Sequence, residues 1–303
     1  MGGEINPFPA ILRVVKIGGI AKELLARCEQ GMIFGLTSRG LFLQLSSGWI
    51  LFLSFEESQG PLTLTLPGDH SVMRNVKIGS PVICSQDYLE FPGLELSISI
   101  SDAVVWSPSP LPSQILSKDH RLSYLDTVYG ILERNTPASP IIELLPYVLD
   151  KNLKPGLQVP SYLPILQSLQ LACDSEEDHL LAQSLSAFLG LGKGLTPSGD
   201  DLVIGLLLGV NRWAYLLQSN VDIEMLNSRV IEQARNQTTT ISLNLIECAC
   251  SGQADERLVL ALDGLMTGSI GAGACVNLLA GWGNTSGFDS LTGMALFSLA
   301  FLD

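Results

Sequence analysis

The spacing of apolar residues changes once along this chain, and that change limits the folds open to it. In the first third they alternate, as in Leu41-Phe42-Leu43-Gln44-Leu45 and Leu62-Thr63-Leu64-Thr65-Leu66. A period of two sends successive side chains to opposite faces of a strand. Trp49-Ile50-Leu51-Phe52-Leu53 adds a short apolar run, and Gly-containing turns recur at Arg39-Gly40, Ser47-Gly48, Gln59-Gly60-Pro61, Pro67-Gly68-Asp69 and Pro92-Gly93. After a helix around 21–29, residues 31–106 therefore read as five to eight short strands, a small barrel or sandwich. Ser107-Pro108-Ser109-Pro110-Leu111-Pro112-Ser113 breaks the pattern and reads as a linker. Beyond it the period is helical, with long apolar segments at Leu116–Leu132, Leu202–Leu217 and Ser290–Leu302. The expected fold is α+β: a β-rich domain over 1–110, then a mostly helical domain over 111–303, arranged as an antiparallel array with its most apolar helices inside.

Composition narrows what such a fold does. The chain has 303 residues, of which 47% are hydrophobic and only 16% charged, which excludes a disordered chain. Thirty acidic against 17 basic side chains give a net charge of −13. That balance disfavours nucleic acid, whose phosphates need Lys and Arg in excess, and also anionic lipid. The imbalance is local: residues 1–110 hold 10 acidic and 7 basic residues (net −3), residues 111–303 hold 20 and 10 (net −10). The segment Met1–Pro9 has no basic stretch followed by an apolar core, and the six cysteines form no CxxC pair, so the expected location is the cytoplasm. Residues 264–288 carry no charge but seven glycines, which favours helices packed closely inside the protein over a membrane span. The histidines, His70, His120 and His179, lie at no metal-ligand spacing, and no Gly-x-Ser-x-Gly elbow is present.

The chemistry concentrates in polar segments that open helices. Gly190-Leu191-Gly192-Lys193-Gly194-Leu195-Thr196-Pro197-Ser198-Gly199-Asp200-Asp201 runs straight into Leu202-Val203-Ile204-Gly205. It matches neither a nucleotide P-loop nor GxGxxG, but it brings Thr196, Ser198, Asp200 and Asp201 to a helix N-terminus, where free N–H groups favour an anion or a capping side chain. In the plainer reading Ser198 or Asp200 is simply the cap. A second segment, Gly283-Asn284-Thr285-Ser286-Gly287-Phe288-Asp289, repeats it: Ser198, Gly199, Asp201 and Gly205 align with Ser286, Gly287, Asp289 and Gly293. Two such elbows fit an internal duplication whose helix N-termini face one cavity and hold a small polar ligand. Asn236-Gln237-Thr238-Thr239-Thr240-Ile241-Ser242 enters another helix with neutral hydroxyls suited to an amide, carboxylate or phosphate. The Asp200/Asp201 pair suits Mg²⁺ shared with a phosphate, because magnesium favours carboxylates plus substrate oxygens.

The segment from Gly192 to Asp201, with the second elbow and Thr238, Thr239 and Ser242, resembles the signature of the AllH-like family. The resemblance spans most of 120–303 and, more loosely, the β-rich part with its Gly60-Pro61. It implies a subunit of an oxamate carbamoyltransferase of allantoin breakdown. That reaction exchanges a carbamoyl group between oxalurate and carbamoyl phosphate, releasing oxamate, and the subunit works there with partner subunits. On this reading Lys193 and the elbow N–H groups hold the anionic group of a carbamoylated or anionic small molecule. Asp200 and Asp201 bind Mg²⁺ or the carbamoyl NH₂ and, with Lys193, carry the chemistry. Gly194, Thr196, Ser198, Gly199, Thr239, Ser242, Asn284, Ser286, Gly287 and Asp289 line the substrate site. The sequence departs from the family pattern at Lys193, where Pro is usual, and at Asn284, where His is common. The alternative is a non-catalytic metabolite-binding or assembly protein that uses the same pocket. Either way the apolar helices are expected to support a homo-oligomer.

Overall fold

The computed structural model describes residues 10–69, 73–94, 96–135, 138–150, 159–175, 177–216 and 221–302. The chain divides into two compact units, Met1–Pro108 and Ser109–Asp303. The first holds strands β1 (Ala10–Arg13), β2 (Lys16–Gly18), β3 (Gln30–Leu36), β4 (Gly40–Leu45), β5 (Ile50–Ser54), β6 (Thr63–Thr65), β7 (Pro81–Cys84), β8 (Tyr88–Phe91), β9 (Leu96–Ser99) and β10 (Val104–Trp106), and helix α1 (Gly19–Leu25).

All ten strands join one sheet in the order β1-β9-β8-β7-β3-β4-β5-β6-β2-β10. The sheet curls because a single segment links β1, at one end of that order, to β2, next to the other end. Only Val14 and Val15 separate β1 from β2. The Val14 N–H donates to the Ser99 carbonyl at 2.9 Å, next to β9, while the Val15 N–H donates to the Thr65 carbonyl at 2.8 Å, at β6. Curling removes most of the exposed strand edge that invites aggregation. Leu41, Leu43, Leu45, Leu51, Leu53, Leu64, Leu89 and Ile98 are buried inside it. Among the described residues, eight strands, β3 to β10, fall in the part that alternation reads as five to eight, and β1 and β2 add two before residue 31 that are too short for alternation to register. The first helix starts and ends earlier than 21–29, because the chain has to turn into β3 from Gln30.

The second unit is helical: α2 (Lys118–Asn135), α3 (Leu145–Val148), α4 (Leu163–Ser175), α5 (Asp178–Ser186), α6 (Ser198–Arg212), α7 (Ile223–Gln237), α8 (Thr240–Ala249), α9 (Glu256–Thr267), α10 (Ala272–Ala280) and α11 (Ser286–Ala300). The fold class is α+β, as expected. The uncharged stretch 264–288 is not one helix. It is shared by the end of α9, which Gly268 stops in a left-handed conformation (φ 68°), by α10 and by the start of α11. Among the described residues no helix is long and apolar enough to cross a membrane.

At the centre of this unit lie α6 and α11, buried continuously over Gly199–Val210 and Gly287–Ser298. They pack on each other more extensively than any other pair of elements. A Cβ on Gly205 would come within 2.0 Å of the Ser290 carbonyl oxygen, and one on Gly293 within 2.0 Å of the Leu202 carbonyl oxygen. Further along, Gly209 abuts the ring of Phe297. Thr196, just before α6, bonds Ser286 at the start of α11, and Gly209 meets Phe297 beyond the crossing, so the two helices run parallel. The expected antiparallel array does not hold for this central pair. Four helices intervene between them in sequence, which gives the chain the length to return to the same end. Arg121 anchors the far end of α11: its guanidinium donates to the carbonyls of Ser298 (3.1 Å), Leu302 (2.6 Å) and Leu116 (2.6 Å). The far end of α6 is held by Arg212, paired with Asp263 at 2.6 and 2.8 Å.

A backbone-to-backbone crossing has no room for a methyl group. Gly205→Ala and Gly293→Ala are each expected to cost about 3 kcal/mol in urea unfolding, the upper part of the usual range for overpacking. Gly130→Ala, in the interior of α2 where an added Cβ meets nothing within 4 Å, is expected to stabilise by about 0.5–1 kcal/mol. Equal effects at the three positions would contradict the close crossing.

Candidate functional site

Because α6 and α11 are parallel, their N-terminal turns lie side by side. Both helices begin at the elbow serine, Ser198 or Ser286, four residues before the apolar periodicity that marks them in the sequence. The polar residues are therefore the first turn of each helix and not the loop before it. The residues preceding them are Pro197 and Thr285, and neither helix has a side-chain cap, so Ser198 and Asp200 do not play the capping role of the plainer reading. Thr196 and Ser286 share a hydrogen bond of 3.1 Å, which joins the two elbows directly.

The reciprocity extends to the carboxylates. Asp201 and Asp289 occupy the same position in their helices and are 1% and 0% exposed. The Ser286 hydroxyl at the start of α11 acts on Asp201 in α6, and the Ser198 hydroxyl at the start of α6 acts on Asp289 in α11. Asp289 Oδ1 also accepts from the Ser139 hydroxyl at 2.5 Å. Asp289 Oδ2 and both oxygens of Asp201 are buried without a hydrogen bond.

Asp200, next in sequence, is placed differently. Its Oδ1 accepts from the Gly190 N–H at 2.7 Å and its Oδ2 from the Thr238 hydroxyl, so it ties the glycine loop to the α7–α8 junction. The third polar segment converges on the same place. Thr239 donates to the Leu195 carbonyl at 2.6 Å and caps α8 by accepting from the Ser242 N–H at 3.1 Å. The buried Ser242 hydroxyl lies beside Asp200 and has no hydrogen bond of its own.

Burial pushes the carboxyls of Asp200, Asp201 and Asp289 above the ordinary value, and Asp201 furthest. For Asp201 the neighbouring charges of Asp289 and Asp200 add to the rise, while Ser286 and Thr196 oppose it. Two adjacent helix N-termini offset part of this cost, each presenting about half a positive elementary charge.

The elbow N–H groups are less available than an anion cradle requires. Those of Gly199 and Gly287 donate to the Leu191 and Trp282 carbonyls, those of Asp200 and Asp201 to Pro197, and those of Phe288 and Asp289 to Thr285. Lys193, Gly194 and Asn284 are exposed, whereas Asp200, Asp201 and Asp289 are buried. Gly199 and Gly287 serve close packing: an added Cβ would lie 2.0 Å from the Phe188 oxygen and 2.1 Å from that of Leu279. Of the two carboxylates expected to bind magnesium, Asp200 has both oxygens engaged and Asp201 has neither. Among the described residues no group of three or more His, Cys, Asp or Glu is arranged to hold a metal ion. His120 bonds Ser117 at 2.7 Å and His179 lies 3.4 Å from Glu177, both at the surface; His70 is outside the described residues. Ser139 was not foreseen, and no motif around it gives a signal.

Comparison with known proteins now bears on this arrangement. Residues 188–298 match the family model described as oxamate carbamoyltransferase subunit AllH. The family resemblance carried by the Gly192–Asp201 motif is borne out over that segment. The AllH segment contains both elbows, the Thr238–Ser242 cluster and nearly all of the α6–α11 pair, while the β-rich unit lies outside it. No curated protein and no solved structure matches the chain.

Two outcomes follow from the site. Thr238→Val keeps the side-chain shape but removes a donor to a buried carboxylate, at an expected cost of about 1.5–3 kcal/mol in chemical unfolding. The raised carboxyls also set a pH dependence. A carboxyl raised by folding contributes stability that is present below its unfolded value near 3.8 and is lost as pH rises through the folded value. Asp201→Asn is neutral at every pH and lacks that loss. Its melting temperature relative to the wild type is therefore expected to climb as pH rises above about 4 in metal-free buffer. A constant difference across that range would mean that Asp201 is not desolvated.

Proposed function

We propose that this chain is a subunit of a carbamoyl-transferring enzyme of the oxamate carbamoyltransferase type, and that it binds a small anionic or carbamoylated metabolite at the paired N-termini of α6 and α11. The observation that carries this reading is that the matched segment 188–298 contains both elbows, which meet through Thr196 and Ser286. Lys193, exposed on the glycine loop, takes the phosphate or carboxylate end of the metabolite. Thr196, Thr239 and Ser286 orient it, with Asp201 behind them as the acidic group of the site. Asp200 acts as a positioning residue: its bonds to Gly190 and Thr238 fix the loop that carries Lys193. Preorganised donors of this kind stabilise a developing oxyanion by a few kcal/mol each. Partner subunits complete the reaction, and the chain itself self-associates.

The test uses the full-length protein in Mg²⁺ buffer with carbamoyl phosphate and with oxamate, alone and with its partner subunits. The expected result is a rise in melting temperature with either metabolite, and turnover once the partners are present. Lys193→Ala, at an exposed position, is expected to leave the unliganded melting temperature unchanged and to weaken carbamoyl phosphate binding about tenfold, the loss of one charge-assisted contact. A thermal shift without turnover under any combination favours the non-catalytic binding protein. With neither shift nor turnover, the metabolite reading fails.

A further inference from the structure

We infer that Asp201 and Asp289, with the hydroxyls of Thr196, Ser198 and Ser286, form a site for one small divalent cation between the first turns of α6 and α11. This goes beyond the metabolite reading and stands on the elbows alone. The first observation is the unpartnered oxygens: both of Asp201 and Oδ2 of Asp289 are buried with no hydrogen bond, on side chains that are 1% and 0% exposed. Buried charge of this kind is ordinarily paired, hydrogen-bonded or bound to a metal. The second is the state of the backbone. Helix N-termini usually attract anions, yet here the N–H groups of residues 199–201 and 287–289 already donate to backbone carbonyls earlier in the chain. An anion lodged between the two acids would meet carboxylate oxygens and no free donors from these residues, so the metabolite of the proposed function lies outward of them, towards Lys193.

The charge balance agrees. When both carboxylates are ionised they carry two negative charges, and two helix N-termini return only about one positive charge between them. A divalent cation removes the deficit. The donor set is all oxygen, carboxylate and hydroxyl, contributed by the first turns of two helices and the loop before α6, which suits a hard cation such as Mg²⁺ or Mn²⁺ and not a thiophilic one. Two carboxylates with hydroxyls also differ from a cluster of three or more acidic, His or Cys side chains, which the described residues do not form here. Asp200, with both oxygens occupied, is outside the set.

The experiment takes full-length protein stripped with EDTA and dialysed, and titrates it with Mn²⁺ followed by electron paramagnetic resonance, without any metabolite. The expected result is one Mn²⁺ per chain, displaced by Mg²⁺, with a rise in melting temperature for both ions. Asp289→Asn and Asp201→Asn are each expected to weaken Mn²⁺ binding at least tenfold. Ser198→Ala, a milder change should either Asn variant fold poorly, is expected to weaken it several-fold. If the wild-type protein binds no Mn²⁺, or binds it unchanged in Ser198→Ala and in whichever Asn variant folds, the two acids share a proton or bind nothing and the cation site is overturned. A protein that binds no Mn²⁺ but is stabilised by carbamoyl phosphate overturns the cation site and leaves the metabolite reading standing. One that binds Mn²⁺ but ignores carbamoyl phosphate and oxamate does the reverse.

Discussion

The helical unit depends on one contact, the crossing of α6 and α11 at Gly205 and Gly293. Each glycine lies against a backbone carbonyl of the other helix, Ser290 or Leu202, so the helices approach more closely than side chains would allow. The crossing is reciprocal and the helices are parallel, and both properties are passed on to their ends. At the near end two first turns are forced together, with Thr196 bonded to Ser286. At the far end Arg121 collects the last carbonyls of α11 and Arg212 pairs with Asp263 in α9, placing positive charge where helix C-termini favour it.

Parallel helices side by side align their dipoles unfavourably, and the buried acids answer this. Asp201 and Asp289 sit where two partial positive charges add, which accounts for carboxylates in a segment otherwise apolar on all sides. The compensation is incomplete, because burial still raises both carboxyls. Asp200 meets the same burial in another way, through hydrogen bonds to Gly190 and Thr238. Two adjacent aspartates thus have different roles: one holds a loop, and the other is left with its acceptors open.

The first unit follows a different rule. Its sheet has strands of only three to seven residues, and it is stabilised by curling: the segment from β1 through Val14 and Val15 to β2 links one end of the strand order to the strand next to the other end. It lies outside the segment 188–298 that matches the AllH family. The candidate site therefore belongs to the second unit, where the net charge of −10 is concentrated and where its buried acids meet.

Much of this was legible in the sequence. The change of period at residues 107–113 separates strands from helices, because periods of two and 3.6 cannot both bury one face of the same element. The repeated Ser-Gly-x-Asp-x-x-x-Gly marks both elbows, since only a small residue permits the crossing and only a polar turn opens so apolar a helix. The tertiary structure decided the rest. Nothing local tells Asp200 from Asp201, because their surroundings come from Thr238, Ser286 and Asp289, far away in the chain. Ser139 reaches Asp289 across 150 residues and has no motif. The direction of α11 relative to α6 was equally hidden: apolar periodicity records which face a helix buries and carries no information about which end of a neighbour lies beside it.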